Sequence, residues 1–97
     1  MFNYSSVTLN QRKDVAEMIE FDRLAAGRVI RRLRTERKLS QELLSGLAGL
    51  ARSHLAMIER GTKQPNFETI WRIANALELS PHSLVALIEQ ECQNNVC

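Results

Sequence analysis

Residues 39–61 read LSQELLSGLAGLARSHLAMIERG. The stretch has the pattern of two short helices joined by a tight turn. Ser40 offers a side-chain oxygen to the N-cap of the first helix, and Gln41 and Glu42 fill its first turn. Leu43, Leu44, Leu47 and Ala48 follow at helical spacing, and Gly49 breaks the pattern. A second helix is predicted from about Arg52 to Arg60, stopped by Gly61. At about 100° per residue, with Arg52 at zero, Ala56 falls at about 40°, Arg60 at about 80°, Ser53 at about 100° and Met57 at about 140°. Ile58 and Leu55 lie on the other side, at about 240° and about 300°. One face therefore suits a core. The other holds small residues that allow close approach and arginines that can fork onto bases or phosphates.

The rest of the chain fits an all-α domain. Its 97 residues make one domain, and its 44% hydrophobic share is enough for a compact core. Four glycines, two prolines and no alternating β-branched runs favour helices. No stretch has the ~18 consecutive apolar residues of a membrane span, and the N-terminus has no apolar signal core, so the chain is read as cytoplasmic. The net charge of +2 hides an asymmetry: residues 23–63 carry ten basic and three acidic side chains, between acidic flanks. That pattern suits a polyanion-binding patch, although alone it leaves a merely solvated face equally open. Cys92 and Cys97 are placed in a C-terminal tail without partners at metal spacing; they are expected to be reduced, with an intermolecular bridge open to oxidation in vitro.

In chain order, residues 1–21 form an N-terminal extension, with a weak helical pattern from about Leu9 to Glu20 that aligns Val15, Met18 and Ile19. Asp22 is a candidate cap for a helix from about Arg23 to Lys38. Leu24, Ala26, Ile30, Leu33 and Arg37 are expected on its inner side and edge, Arg28, Arg31 and Arg32 outward, and Val29 as an apolar contact point on a charged face. Asn66 caps a helix from Phe67 to about Leu77 with a core stripe of Phe67, Ile70, Ile73, Ala74 and Leu77; Trp71 lies beside it, as a core lid or a subunit contact. Ser80-Pro81 starts the last helix, to about Cys92, whose wide band of Leu84, Val85, Leu87 and Ile88 suggests a second buried face. Residues 22–92 form the domain and residues 93–97 a frayed tail.

From Gly27 to Glu89 the chain resembles the phage-repressor and Cro class of helix-turn-helix domains, the XRE family. The matching residues run in order: Ile30, Leu33-Arg34, Leu39-Ser40-Gln41-Glu42, Leu44, Gly49-Leu50, Arg52-Ser53, Ile58-Glu59-Arg60-Gly61, Pro65, Glu68-Thr69 and Ile73-Ala74 with Ala76-Leu77. The resemblance implies a five-helix, lambda-repressor-like fold whose third helix enters the major groove of double-stranded DNA. It places Gln41 as a phosphate contact, Arg52, Ser53 and Met57 at base-reading positions, and Lys63 in a loop on the DNA backbone. Arg60 shares the reading face. His54, off that face at about 200°, packs or touches a phosphate. Arg34 and Glu59 fall where the family often has an interhelical ion pair. The chain departs from the pattern at Ala51, in place of a capping Ser, Thr or Asp; at Ser45, in place of a small apolar residue; and at Met57, which offers the bases no strong hydrogen bond.

The leading function is a sequence-specific transcriptional regulator that acts as a homodimer on a near-palindromic operator. An alternative is an antitoxin that also holds a small protein toxin, and a related one is the controller of a restriction–modification operon. An enzyme is disfavoured: His54 and His82 are the only histidines, and no catalytic triad, metal cluster or phosphate-cradling glycine loop is present. No cofactor is implied.

Overall fold

The computed structural model describes residues 20–94. Five helices follow one another: α1 (Ala25–Glu36), α2 (Gln41–Ala48), α3 (Arg52–Arg60), α4 (Phe67–Ala76) and α5 (Pro81–Asn94). The predicted N-terminal helix and Cys97 lie outside the described residues.

Four helix ends close in one way. Lys38, Gly49, Gly61 and Glu78 all take the left-handed backbone, with φ of 58°, 71°, 80° and 60°. The next residue then turns its N–H back five positions: Leu39 to the Arg34 carbonyl, Leu50 to Ser45, Thr62 to Met57 and Leu79 to Ala74. This is the Schellman closure, which satisfies carbonyls that the helix leaves open. Leu39, Leu50 and Leu79 then pack on the core. The starts are capped by side chains at three places. Ser40 Oγ accepts from the Leu43 N–H at 2.9 Å, Asn66 Oδ1 from Thr69 at 2.8 Å and Ser80 Oγ from Ser83 at 3.1 Å. Ala51 offers α3 no such bond.

The core joins Val29, Ile30 and Leu33 of α1 to Leu44 and Ala48 of α2, Leu55 and Ile58 of α3, Ile70, Ile73 and Ala74 of α4, Leu77 just after it, and Leu84 of α5. Helix α1 packs against both α3 and α5. Two neighbours widen its buried sector, so Val29 is fully buried and not a contact point on a charged face. The same packing corrects the expected inner side: Leu24 is half exposed and Arg37 is exposed. The helix starts two residues later than expected. Asp22 is not its N-cap; its carboxylate instead accepts from the Leu24 N–H at 2.9 Å. Gly27 faces α3 so closely that a Cβ would collide with the carbonyls of Ile58 and Glu59.

Phe67 is 71% exposed and does not join the core. The buried Ile70, Ile73 and Ala74 share one side of α4. Helical rotation puts Phe67 at the rim of that side and Trp71 further out. The two rings meet edge to face at 6.0 Å. Cys92 lies on α5, buried, and not in a tail, because α5 runs on to Asn94.

Arg28 and Arg32 are not free outward cations. Arg28 Nε donates to Glu91 Oε2 at 2.8 Å, Arg32 Nη1 to Glu91 Oε1 at 3.0 Å, and Arg28 also pairs with Asp22. These bonds clip the end of α5 across α1. The hydrogen bonds from Arg28 and then Arg32 hold the Glu91 carboxyl below the usual carboxylate range.

Candidate nucleic-acid interface

Helix α3 presents the expected face. Arg52, Ser53 and Arg60 are exposed, Met57 is exposed at its rim, and Ala56 and His54 are half-buried. Leu55 and Ile58 anchor the other side in the core. Gly61 ends the helix at φ 80°, and a Cβ there would collide with the Leu24 side chain. After it, Thr62 donates from both N–H and Oγ1 to the Met57 carbonyl, at 3.0 and 3.1 Å. The Gln64 amide donates to the Arg23 carbonyl, which ties the loop to the approach of α1. Lys63 stands exposed in this loop, beside the end of α3.

Behind the exposed face lies a polar junction. Arg34 Nε donates to Glu59 Oε2 at 2.7 Å and Arg34 Nη2 to Glu59 Oε1 at 3.0 Å, a two-pronged pair. The side chains are only 12% and 4% exposed. Arg34 Nη1 also donates to the Leu39 carbonyl at 2.8 Å, in the link between α1 and α2. The hydrogen bonds from Arg34 to Glu59 raise the already high pKa of its guanidinium, so it stays charged. Gln41 joins the same carboxylate, with Nε2 donating to Glu59 Oε1 at 3.0 Å. One carboxylate thus fastens α3 to α1 and to the first residue of α2.

The Gln41 link was not legible from spacing, since it joins residues 18 positions apart across the turn. Sequence reasoning also left Arg31 merely outward, although it lines one cleft with Arg34, Gln41, Ala56, Glu59 and Arg60. No local signal could have singled it out among the arginines of α1. Ser45, which departs from the family pattern, is 3% exposed and satisfies its hydroxyl by donating to the Glu42 carbonyl at 3.0 Å. Among the described residues no cluster of His, Cys, Asp and Glu could hold a metal ion, and no helix is long and apolar enough to cross a membrane.

Arg23, Arg31, Arg37, Lys38, Arg52, Arg60 and Lys63 make no side-chain ion pair among the described residues, whereas Arg28, Arg32 and Arg34 are paired with Asp22, Glu91 and Glu59. The basic excess of residues 23–63 is therefore available on the outside of α1, α3 and the two loops.

Comparison with known proteins agrees with this geometry. A helix-turn-helix family model, HTH_3, matches residues 30–84. The immunity repressor protein of Bacillus phage phi105 is 38% identical over 71 residues, which cover 70% of this chain and 49% of that protein. The chain thus spans about half the length of this relative. The crystal structure of the restriction–modification controller protein C.AhdI from Aeromonas hydrophila superposes with a TM-score of 0.62 at 40% identity, covering 65% of this chain and 96% of that one. The wild-type controller C.Esp1396I shares the fold, with a TM-score of 0.70 at 24% identity, covering 78% of this chain and 99% of its own. The chain belongs to the helix-turn-helix family of DNA-binding transcriptional regulators, the XRE type.

Proposed function

We propose that the protein regulates transcription in the cytoplasm as a homodimer on a near-palindromic operator, with α3 in the major groove. Arg52 and Ser53 read base edges, and Met57 touches a thymine methyl or a sugar. Gln41, His54, Arg60 and Lys63 meet the phosphate backbone. The observation that carries this assignment is the exposed face of α3: two arginines, unpaired among the described residues, flank small residues, and the acidic side chain of the helix, Glu59, is withdrawn into its pair with Arg34. A fork from Arg52 onto a guanine is worth about 1–3 kcal/mol of discrimination.

The homodimer is supported by a second surface. Phe67 and Trp71 of α4 and Pro81, His82 and Val85 of α5 line an open apolar groove of about 390 Å³. Phe67, Trp71 and Val85 are 71%, 50% and 46% exposed, a concentration of apolar surface that suits a second copy. Within this function, a controller of a restriction–modification operon is favoured by the 40% identity to C.AhdI over nearly all of that protein.

Selection of bound sites from random duplex DNA, with the protein's mass measured in solution, tests the assignment. A half-site repeated with two-fold symmetry about 10 bp apart is expected, together with a dimer mass. No enriched site, or affinity indifferent to salt, would overturn it. Co-purification of a small toxin with no enriched site would move the protein to the antitoxin class.

A further inference from the structure

The link between α3 and α4, residues 61–66, uses its polar side chains unevenly. Thr62 Oγ1 donates to the Met57 carbonyl at 3.1 Å, Gln64 Nε2 donates to the Arg23 carbonyl, and Asn66 Oδ1 accepts from the Thr69 N–H at 2.8 Å. Lys63 stands exposed between them, and its ammonium makes no ion pair among the described residues. The bonds on its two sides differ in kind. Before it, the Met57 carbonyl takes the backbone N–H groups of Thr62 at 3.0 Å and Lys63 at 3.4 Å, within the last turn of α3. After it, Gln64 is half-buried and reaches a carbonyl 41 positions away in the chain, just ahead of α1. The same two segments touch a second time, because Gly61 lies so close to the Leu24 side chain that a Cβ would collide with it. The acceptor is itself anchored. The Asp22 carboxylate accepts from the Leu24 N–H at 2.9 Å and pairs with Arg28, so the backbone around Arg23 is fastened to α1. Gln64 therefore fixes the far side of Lys63 to a rigid frame, where local bonds fix only the near side.

We infer that Gln64 is a positioning residue for DNA binding: its bond to the Arg23 carbonyl holds the link against the start of α1 and so presets Lys63 for the backbone. The inference rests on the phosphate contact proposed above for Lys63 and deepens it. Gln64 acts through Lys63 and not by touching DNA. A lysine side chain is long and flexible, so its contact gains most when the backbone that carries it is already ordered. Without the Gln64 bond, the link must be ordered when DNA binds, and that cost comes off the Lys63 contact. The bond adds little to folding stability, because water replaces it at an exposed carbonyl. Positioning and folding are thereby separable.

The test is a double-mutant cycle on the full chain, with affinity for the selected duplex measured at several salt concentrations. It compares the unaltered protein, Lys63→Ala, Gln64→Met and the double variant. Methionine keeps the length of glutamine and cannot donate. Lys63→Ala should lower the salt slope by about 0.9, the share of one phosphate. Gln64→Met should weaken binding by about two- to tenfold, the range set by ordering one flexible residue. It should weaken binding to a scrambled duplex equally, since a phosphate contact carries no sequence preference. In the Lys63→Ala background, Gln64→Met should cost nothing further, and its thermal midpoint should stay close to that of the unaltered protein. Undiminished loss in the Lys63→Ala background would overturn the inference, because Gln64 would then meet DNA itself or support the fold. Unchanged affinity of Gln64→Met with Lys63 in place would overturn it too, because the link would hold without the bond. Lys63→Ala with unaltered affinity and slope would remove the Lys63 contact and the positioning role with it. Failure of the unaltered protein to bind any duplex would remove the function itself, an outcome distinct from all of these.

Discussion

At the scale of single residues, Glu59 holds the most relationships. It accepts three hydrogen bonds from two side chains and is almost fully buried. Replacing it with glutamine keeps the shape but strands the Arg34 guanidinium, which is only 12% exposed. Breaking a buried pair from one side costs about 3–5 kcal/mol. Glu59→Gln should therefore lower the unfolding free energy measured in urea by an amount of that order, and it should weaken DNA binding further because Gln41 loses its orientation. Unchanged stability and unchanged binding would remove Glu59 from its structural role. Ala51 presents the opposite case. Its backbone, at φ −68° and ψ 143°, already has the extended conformation of an N-cap, but its side chain cannot accept from the first turn of α3. Ala51→Ser should add about 1 kcal/mol, seen as a rise in thermal midpoint, without altering the fold. The Arg34–Glu59 relation could be anticipated because it joins two positions of a known pattern. The triple use of Glu59 could not, because periodicity places residues on faces and does not say which face residue a neighbouring helix will reach.

At the scale of the elements, the ends were more legible than the faces. Gly49 and Gly61 mark their helix ends because left-handed backbone favours glycine. Lys38 and Glu78 adopt the same conformation at φ 58° and 60° without any glycine signal, so α1 and α4 end before the expected Lys38 and Leu77. Their shared sequence, a left-handed residue followed by Leu-Ser, closes one helix and caps the next: Lys38-Leu39-Ser40 before α2, and Glu78-Leu79-Ser80 before α5. Faces are harder, because a buried sector depends on how many neighbours a helix acquires. Val29 departs from its expected place because α1 is clasped from two sides, and Phe67 because α4 turns its rim away from the core. The closest approach among these elements is testable. Gly27→Ala inserts a Cβ against the backbone of α3 at Ile58 and Glu59, where no flexible side chain can yield. Better helix propensity would favour alanine by about 1 kcal/mol, but the overlap forces α3 away from α1, and overpacking of this kind costs about 1–3 kcal/mol. Net destabilisation in denaturant melts is expected, accompanied by weaker DNA binding. Net stabilisation would mean that the two helices separate without strain.

At the scale of the whole molecule, charge is divided between two tasks among the described residues: Arg28, Arg32 and Arg34 hold helices together, and Arg52 and Arg60 stand exposed on α3. The division depends on Glu91, which is 59 and 63 positions from its partners Arg32 and Arg28 and so could not be paired with them from sequence. The clip it forms is the chief fastening between the end of α5 and α1 by side-chain charge, and its dependence on pH has a definite sign. The Glu91 carboxyl titrates lower in the folded protein than in the unfolded chain, where a glutamate titrates near 4.3, first because Arg28 and then because Arg32 donates to it. A depressed folded value means that the unfolded state binds the proton more readily. The stabilisation is therefore complete above about pH 5, begins to fall as the unfolded glutamate protonates near 4.3, and is lost once the folded carboxyl has taken its proton at lower pH. Arg28, whose pKa is raised by its hydrogen bonds to Glu91 and Asp22, keeps its charge throughout this range. Thermal melts of the unaltered protein and of Glu91→Gln should thus differ by a constant amount from pH 7 to about 5 and converge below about pH 4, while Glu91→Gln retains its operator preference at neutral pH because Glu91 stands apart from the reading face. A difference that persists undiminished into acid would show that Glu91 stabilises α5 by its packing and not by its charge.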